Sequence, residues 1–188
     1  MSSDNPSGAV NQQETAESLE LDAQWVVGFV DGEGCFSVSL HRNPFIRSTG
    51  NWQIQAVFQV YQHQAYRAVL EALIPFFGCG VIRAKGPKSS VLTYAVSKRA
   101  DLERRIVPYF EQHQLVVKGP DFRAFAEIVR ALGTKEHLTP AGFERLVRLA
   151  LIEADGVGFA VMSGIVTRDC THAGHFYPTR NFATLGPL

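Results

Sequence analysis

A chain of 188 residues, 46% of them hydrophobic, can form one domain with a sizeable core. No run approaches the roughly 18 apolar residues of a membrane helix. No secretory signal is visible, so an intracellular protein of a bacterial cytoplasm or an organelle is expected, not a secreted one. Eighteen Lys and Arg balance eighteen Asp and Glu, which argues against a nucleic-acid binder until the charge is divided along the chain.

Residues 1–20 are rich in Ser, Asn, Gln, Glu and Gly without periodicity and read as a flexible acidic lead-in. The first 22 residues hold five acidic groups and no Lys or Arg, leaving 18 basic against 13 acidic in the remainder. A helix is predicted from about Asp22 to Asp31, ending on the glycine-rich turn Asp31-Gly-Glu-Gly34. Gly28 and Gly32 are four apart and share one helix face, where a second backbone can come close. Asp31 and Glu33 fall at the negative pole of the helix dipole, which costs roughly 0.3–1 kcal/mol each, so a cation is expected to offset them.

Phe36, Val38 and Leu40 alternate with Ser37, Ser39 and His41, the pattern of a half-buried strand. After the loop signals Asn43-Pro44 and Ser48-Thr49-Gly50-Asn51 a second strand is predicted. Trp52, Ile54, Ala56, Phe58 and Val60 face one way; Gln53, Gln55, Val57, Gln59 and Tyr61 face the other. A helix over about Gln64–Phe77 stops at Gly78, and shorter strands are predicted over about Gly80–Lys85 and Ser90–Ser97. Helices follow over about Arg99–Phe110, Asp121–Leu132 and Pro140–Ile152, the last with Thr139 as its cap. Two antiparallel hairpins with helices on one face make an α+β half-saddle with the order αββαββα and extra C-terminal helices. The domain is expected over 21–154, with 155–188 a tail of unknown structure. Cys170, His172 and His175 in that tail invite a zinc reading, but three such residues among glycines more often mean nothing. The three cysteines cannot all pair, and reduced thiols are expected.

Between Phe36 and Arg99 the charge is one-sided, with Arg42, Arg47, Arg67, Arg83, Lys85, Lys88, Lys98 and Arg99 against Glu71 alone. Such a concentration is the electrostatic footprint of phosphate binding. Glutamine donates and accepts at once, so the outward Gln53, Gln55 and Gln59 can pair with adenine edges in the major groove. Arg83 and Lys85 share a face of the third strand and suit guanine or phosphate, and Val57 can meet a thymine methyl. The expected DNA-contacting set is Ser37, Ser39, His41, Arg42, Gln53, Gln55, Val57, Gln59, Tyr61, Arg83, Lys85 and Thr93. Polar alternation alone is also what any one-sided sheet shows.

The segment Val26–Gly34 resembles the signature helix of the LAGLIDADG homing endonucleases, and the resemblance runs from about Gln24 to Ile152. It places Glu33 at the family's metal-binding acidic position. Val57-Phe-Gln-Val-Tyr-Gln62 is similar to the family's second-strand ending, which implies base contact by Gln59 and a place for Gln62 near the cleaved phosphates. A catalytic role carries to Arg67, beside Tyr66, which holds the position where the family often keeps a basic residue. Pro108-Tyr-Phe110 followed by Leu115-Val-Val-Lys118 is similar to the segment that supplies the active-site lysine, hence Lys118. Asp121–Val129 and Lys135–Pro140 resemble the C-terminal helices of bacterial and organellar members.

One signature helix per chain implies a homodimer joined through it, with Val27, Gly28 and Asp31 at the interface and two Glu33 carboxylates beside the two-fold axis. Oxygen ligands there, Glu33 and the Gly32 carbonyl, suit Mg²⁺, and Mn²⁺ can substitute. The resemblance implies a site-specific, intron-encoded double-strand DNA endonuclease that cuts one phosphodiester per strand and leaves short 3′ overhangs. Two saddles on one duplex should cover about two helical turns, a pseudo-palindromic site of roughly 20 bp. The alternatives on the same scaffold are an intron RNA maturase, with intron RNA as partner, and a cleavage-inactive DNA-binding protein.

Overall fold

The computed structural model describes residues 19–45, 50–152, 159–162 and 165–168. Most of the acidic lead-in, Arg47 and the tail residues Cys170, His172 and His175 lie outside them. Helix α1, Ala23–Glu33, starts where the Asp22 carboxylate accepts from the backbone N–H of Gln24 (2.8 Å) and Trp25 (3.1 Å), satisfying two of the donors that a helix start leaves unpaired. It buries Val26, Val27 and Val30 and passes without a loop into strand β1, Gly34–Arg42. The junction demands glycine at 34, because an added Cβ would lie 2.6 Å from both the Cγ1 and the carbonyl oxygen of Val30.

Strand β2, Trp52–His63, pairs with β1 antiparallel from Gly34↔Val60 to Arg42↔Trp52. A single 3₁₀ turn, Gln64–Tyr66, leads into α2, Arg67–Phe77, which ends on Gly78 in the left-handed region (φ 65°). Strands β3, Val81–Ala84, and β4, Val91–Val96, form the second hairpin, and β4 lies against β2. The helical run from Arg99 comprises α3, Arg99–Asp101, a π-helical stretch, Leu102–Ile106, and α4, Val107–Gln112. Here the Val107 N–H bonds Leu102 O, five residues back. Pro108 has no N–H to continue an ordinary ladder at that point, which accommodates the wider turn. Helices α5, Gly119–Gly133, and α6, Pro140–Ile152, follow, with Phe143 N bonded to Thr139 O at the start of α6.

The α+β half-saddle stands as expected, with the sheet order β3-β4-β2-β1 for the two hairpins. The sheet is also wider than the sequence suggested. Strands β5, Phe159–Met162, and β6, Ile165–Arg168, add to its other side, with β6 paired to β1 through Ser39↔Thr167 and Leu40↔Val166.

One face of the sheet carries the core. Phe36, Val38, Leu40, Ile54, Ala56, Phe58 and Val60 pack against Phe110, Phe122, Phe125 and Ile128 of the helices. Phe36 is fully buried and meets Phe58, Phe110, Phe122 and Phe125 with ring centroids 5.2–5.4 Å apart. Phe36→Ala is therefore expected to cost about 3–5 kcal/mol, a large share of the 5–15 kcal/mol that holds a typical domain folded. A urea midpoint unchanged from the wild type would contradict this packing.

Candidate nucleic-acid interface and acidic turn

The opposite face of the sheet is polar and carries nearly all the residues expected to touch DNA. Its side chains are tied to one another. Gln59 Oε1 accepts from Tyr61 OH (3.0 Å) and Ser37 Oγ (3.4 Å), and Ser37 Oγ also donates to Val57 O (3.1 Å). Gln53 Oε1 accepts from Asn43 Nδ2 (2.7 Å) and stands 3.2 Å from His41 Nε2. Arg42 lies over the Trp52 ring and donates to Gly50 O, and Lys85 lies over the Tyr61 ring. Gln55 and Arg83 are exposed, and Ser39 and Val57 are half-buried. Hydrogen bonds among these groups hold the amides and hydroxyls in set orientations. Thr93 lies on this face but is only 6% exposed. It is flanked in register by Tyr61 and Arg83, whose longer side chains stand on either side of it.

Glu33 is the last residue of α1 and is half-exposed where the helix meets the polar sheet face. The cation expected at this helix pole is supplied by the chain. Lys118 Nζ donates to the carbonyls of Val30 (3.2 Å), Asp31 (2.7 Å) and Gly32 (3.0 Å), three of the acceptors that a helix end leaves unpaired. The Asp31 carboxylate in turn accepts from the backbone N–H of Val116 (2.7 Å), Val117 (3.2 Å) and Lys118 (3.0 Å), just before α5 begins. The negative end of α1 thus receives an ammonium and the positive end of α5 a carboxylate, a reciprocal exchange that accounts for Asp31 being tolerated at its position.

Gln62 is half-buried, with its Oε1 accepting from the neighbouring His63 N–H (2.7 Å). Arg67 sits on exposed helix surface in an ion pair with Glu71 (2.6 Å). Of the three residues expected at a two-fold contact, Gly28 lies on an open face of α1, Val27 is buried in this chain's own core, and Asp31 is turned to residues 116–118. The open face consists of Trp25, Gly28, Phe29 and Gly32, with Trp25 44% exposed and stacked on Phe29. Spacing alone could have identified this face, since 25, 28, 29 and 32 follow one helical stripe and 27 and 31 fall off it. A Cβ added at Gly28 or Gly32 would meet nothing of this chain.

The donor set at the acidic turn is compatible with a hard divalent cation but incomplete in one chain. Glu33 and the Gly32 carbonyl are both oxygen donors, and among the described residues no group of three or more His, Cys, Asp or Glu comes together. A second chain and phosphate oxygens would have to supply the remainder. The Tyr109 hydroxyl donates to Ala23 O (2.8 Å) and ties the start of α1 to α4. Burial, then the Asp22 charge, pushes the phenol up to about 12, so it remains a donor at neutral pH. A cavity lined by Gln53, Gln55, Ser97, Arg99 and His137 lies toward the other end of β2 and includes none of Glu33, Gln62 and Lys118. The site is an open surface.

Residues 26–129 match the family described as LAGLIDADG endonuclease. A probable intron-encoded endonuclease 2 of Neurospora crassa is 32% identical over 129 residues, 68% of this chain and 28% of that protein. The chain therefore spans little more than a quarter of that curated relative. The crystal structure of a homing endonuclease, I-TnaI, aligns with TM-score 0.67 and 37% identity, covering 71% of this chain and 88% of that one. I-SmaMI bound to an uncleaved DNA target in the presence of calcium ions aligns with TM-score 0.68 and 32% identity, covering 72% of this chain and 45% of that one.

Proposed function

The chain belongs to the LAGLIDADG endonuclease family, and from that premise we propose that it is a site-specific double-strand DNA endonuclease acting as a homodimer. The observation that carries the reading is the meeting of three parts at one point: the acidic end of α1, the start of the polar sheet face, and Lys118 from a distant loop. DNA lies along the sheet, where Gln53, Gln55, Gln59, His41 and Arg83 read base edges and Arg42 and Lys85 hold phosphates. Two saddles cover roughly 20 bp of a pseudo-palindromic site.

Glu33 and the Gly32 carbonyl would hold Mg²⁺, with Mn²⁺ as a substitute, which when bound supplies water activation and neutralises the scissile phosphate. The Lys118 ammonium, already at the Gly32 carbonyl, offsets negative charge that develops on the phosphate. Gln62 leaves its bond to the His63 N–H and orients the attacking water. Arg67 keeps a role only if DNA draws it from Glu71. One phosphodiester per strand is cut, leaving short 3′ overhangs.

The open stripe on α1 supports the dimer. Gly28→Glu is a clean test, because a Cβ added there meets nothing of this chain and glutamate is the better helix former. Its mass in solution should fall from twice to once the 20.8 kDa of the chain. Helical content should be retained. A variant that remains dimeric would remove α1 as the contact.

The experiment for the activity is cleavage of a randomised plasmid library by the purified protein with Mg²⁺. Discrete cuts at one sequence are expected. Tight DNA binding without a cut would point to a cleavage-inactive DNA-binding protein, and no DNA binding to an RNA ligand.

A further inference from the structure

We propose that Asp31 is a positioning residue for Lys118, holding the loop that carries the lysine so that its ammonium stays at the end of α1. The inference rests on the reading of Lys118 as an active-site lysine. The loop has few other constraints. Leu115 on one side and Gly119 on the other are buried, but Val116 and Val117 between them are 84% and 75% exposed and contribute almost no packing. The span from 116 to 118 is held by the two oxygens of Asp31, with Oδ2 accepting from Val116 and Val117 N–H and Oδ1 from Lys118 N–H.

The same aspartate contributes its backbone carbonyl to the Lys118 ammonium at 2.7 Å, shorter than the contacts to Val30 O and Gly32 O. Asp31 thus grips the lysine at both ends, main chain and side-chain tip. A long, flexible lysine side chain has much rotamer freedom to lose, and an anchored main chain leaves less of it to be lost during the reaction. The carboxylate is needed in full. Asparagine would keep one acceptor oxygen but point an N–H₂ at N–H donors.

The arrangement predicts an effect on chemistry out of proportion to the effect on folding, since Leu115 and the buried face of α5 remain in place. At saturating DNA, Asp31→Asn should slow single-turnover cleavage by about 10–100-fold, the scale on which a displacement of about 1 Å penalises a positioned group. DNA affinity measured with Ca²⁺ in place of Mg²⁺ and dimer mass should be unchanged. Asp31→Glu, which keeps the carboxylate, should recover part of the rate. Asp31→Asn in a Lys118→Met background should add nothing, because the residue acts through the lysine.

A readout that needs no cleavage accompanies this cycle. Brief acetylation of the folded full-length protein, followed by mass spectrometry, should label Lys118 several-fold faster in Asp31→Asn than in the wild type, while the other lysines react as before. Losses that multiply in the double variant, or unaltered labelling of Lys118, would overturn the proposal. If Lys118→Met cleaves like the wild type, the lysine assignment fails and the inference with it. If Lys118→Met is slow and Asp31→Asn is not, only the inference fails.

Discussion

Glu33→Gln is expected to lower the cleavage rate by about 10³-fold or more while changing stability by no more than about 1 kcal/mol. The substitution keeps the shape of the side chain and removes its charge. The Lys118 ammonium already meets the carbonyls at the C-terminal pole of α1, so the helix end does not depend on the charge of Glu33. A structural role predicts a larger loss of stability together with the loss of activity. The measurement is single-turnover cleavage of the selected site at saturating protein, beside a denaturation curve. A variant that still cuts at the wild-type rate would remove Glu33 from the mechanism. One that is both inactive and markedly destabilised would make the loss uninformative about chemistry and point to a fold role.

DNA affinity should fall steeply with salt, by roughly 10³–10⁵-fold between 50 and 200 mM, if about 6–10 phosphates are neutralised. The number of available cations suits that range. Between Phe36 and Arg99, Arg67 is paired with Glu71 and Arg99 with Glu103, and Lys98 stands 4.0 Å from Asp101. Arg42, Arg83, Lys85 and Lys88 make no ion pair among the described residues. With Arg83 on a base edge, a dimer presents the other three twice, about six in all, within the phosphate count assumed above. Lys88→Ala should then reduce the slope of log K against log salt by about two, one for each protomer, and weaken all sequences alike. Fluorescence anisotropy across a salt series reads both quantities. A nearly flat dependence would exclude this segment as the phosphate-binding surface.

Local patterns were legible over most of the domain. The turn Asp31-Gly-Glu-Gly34 announced the end of a helix, and the alternation from Trp52 to Tyr61 assigned the core and groove faces of β2. The stripe 25, 28, 29 and 32 is equally legible, and helical spacing turns Val27 and Asp31, expected at the contact, away from it. Strands β5 and β6 had no comparable signal. Their segments are four residues long, too short for alternation to stand out, and the hairpin they form joins the sheet only through β6 at the edge of β1.

By itself the sequence determined the helices, the hairpins, the polar face of the sheet and the position of Glu33, because each follows from the spacing of neighbours along the chain. Tertiary structure alone decided that Thr93 lies between Tyr61 and Arg83, that Asp31 serves residues 116–118, and that the cation at the end of α1 is Lys118. Those partners are separated by more than eighty residues in the case of Asp31 and Lys118. No local period records such a contact. It exists because α1 and the start of α5 pack on the same sheet, which brings a helix end short of positive charge to one short of negative charge.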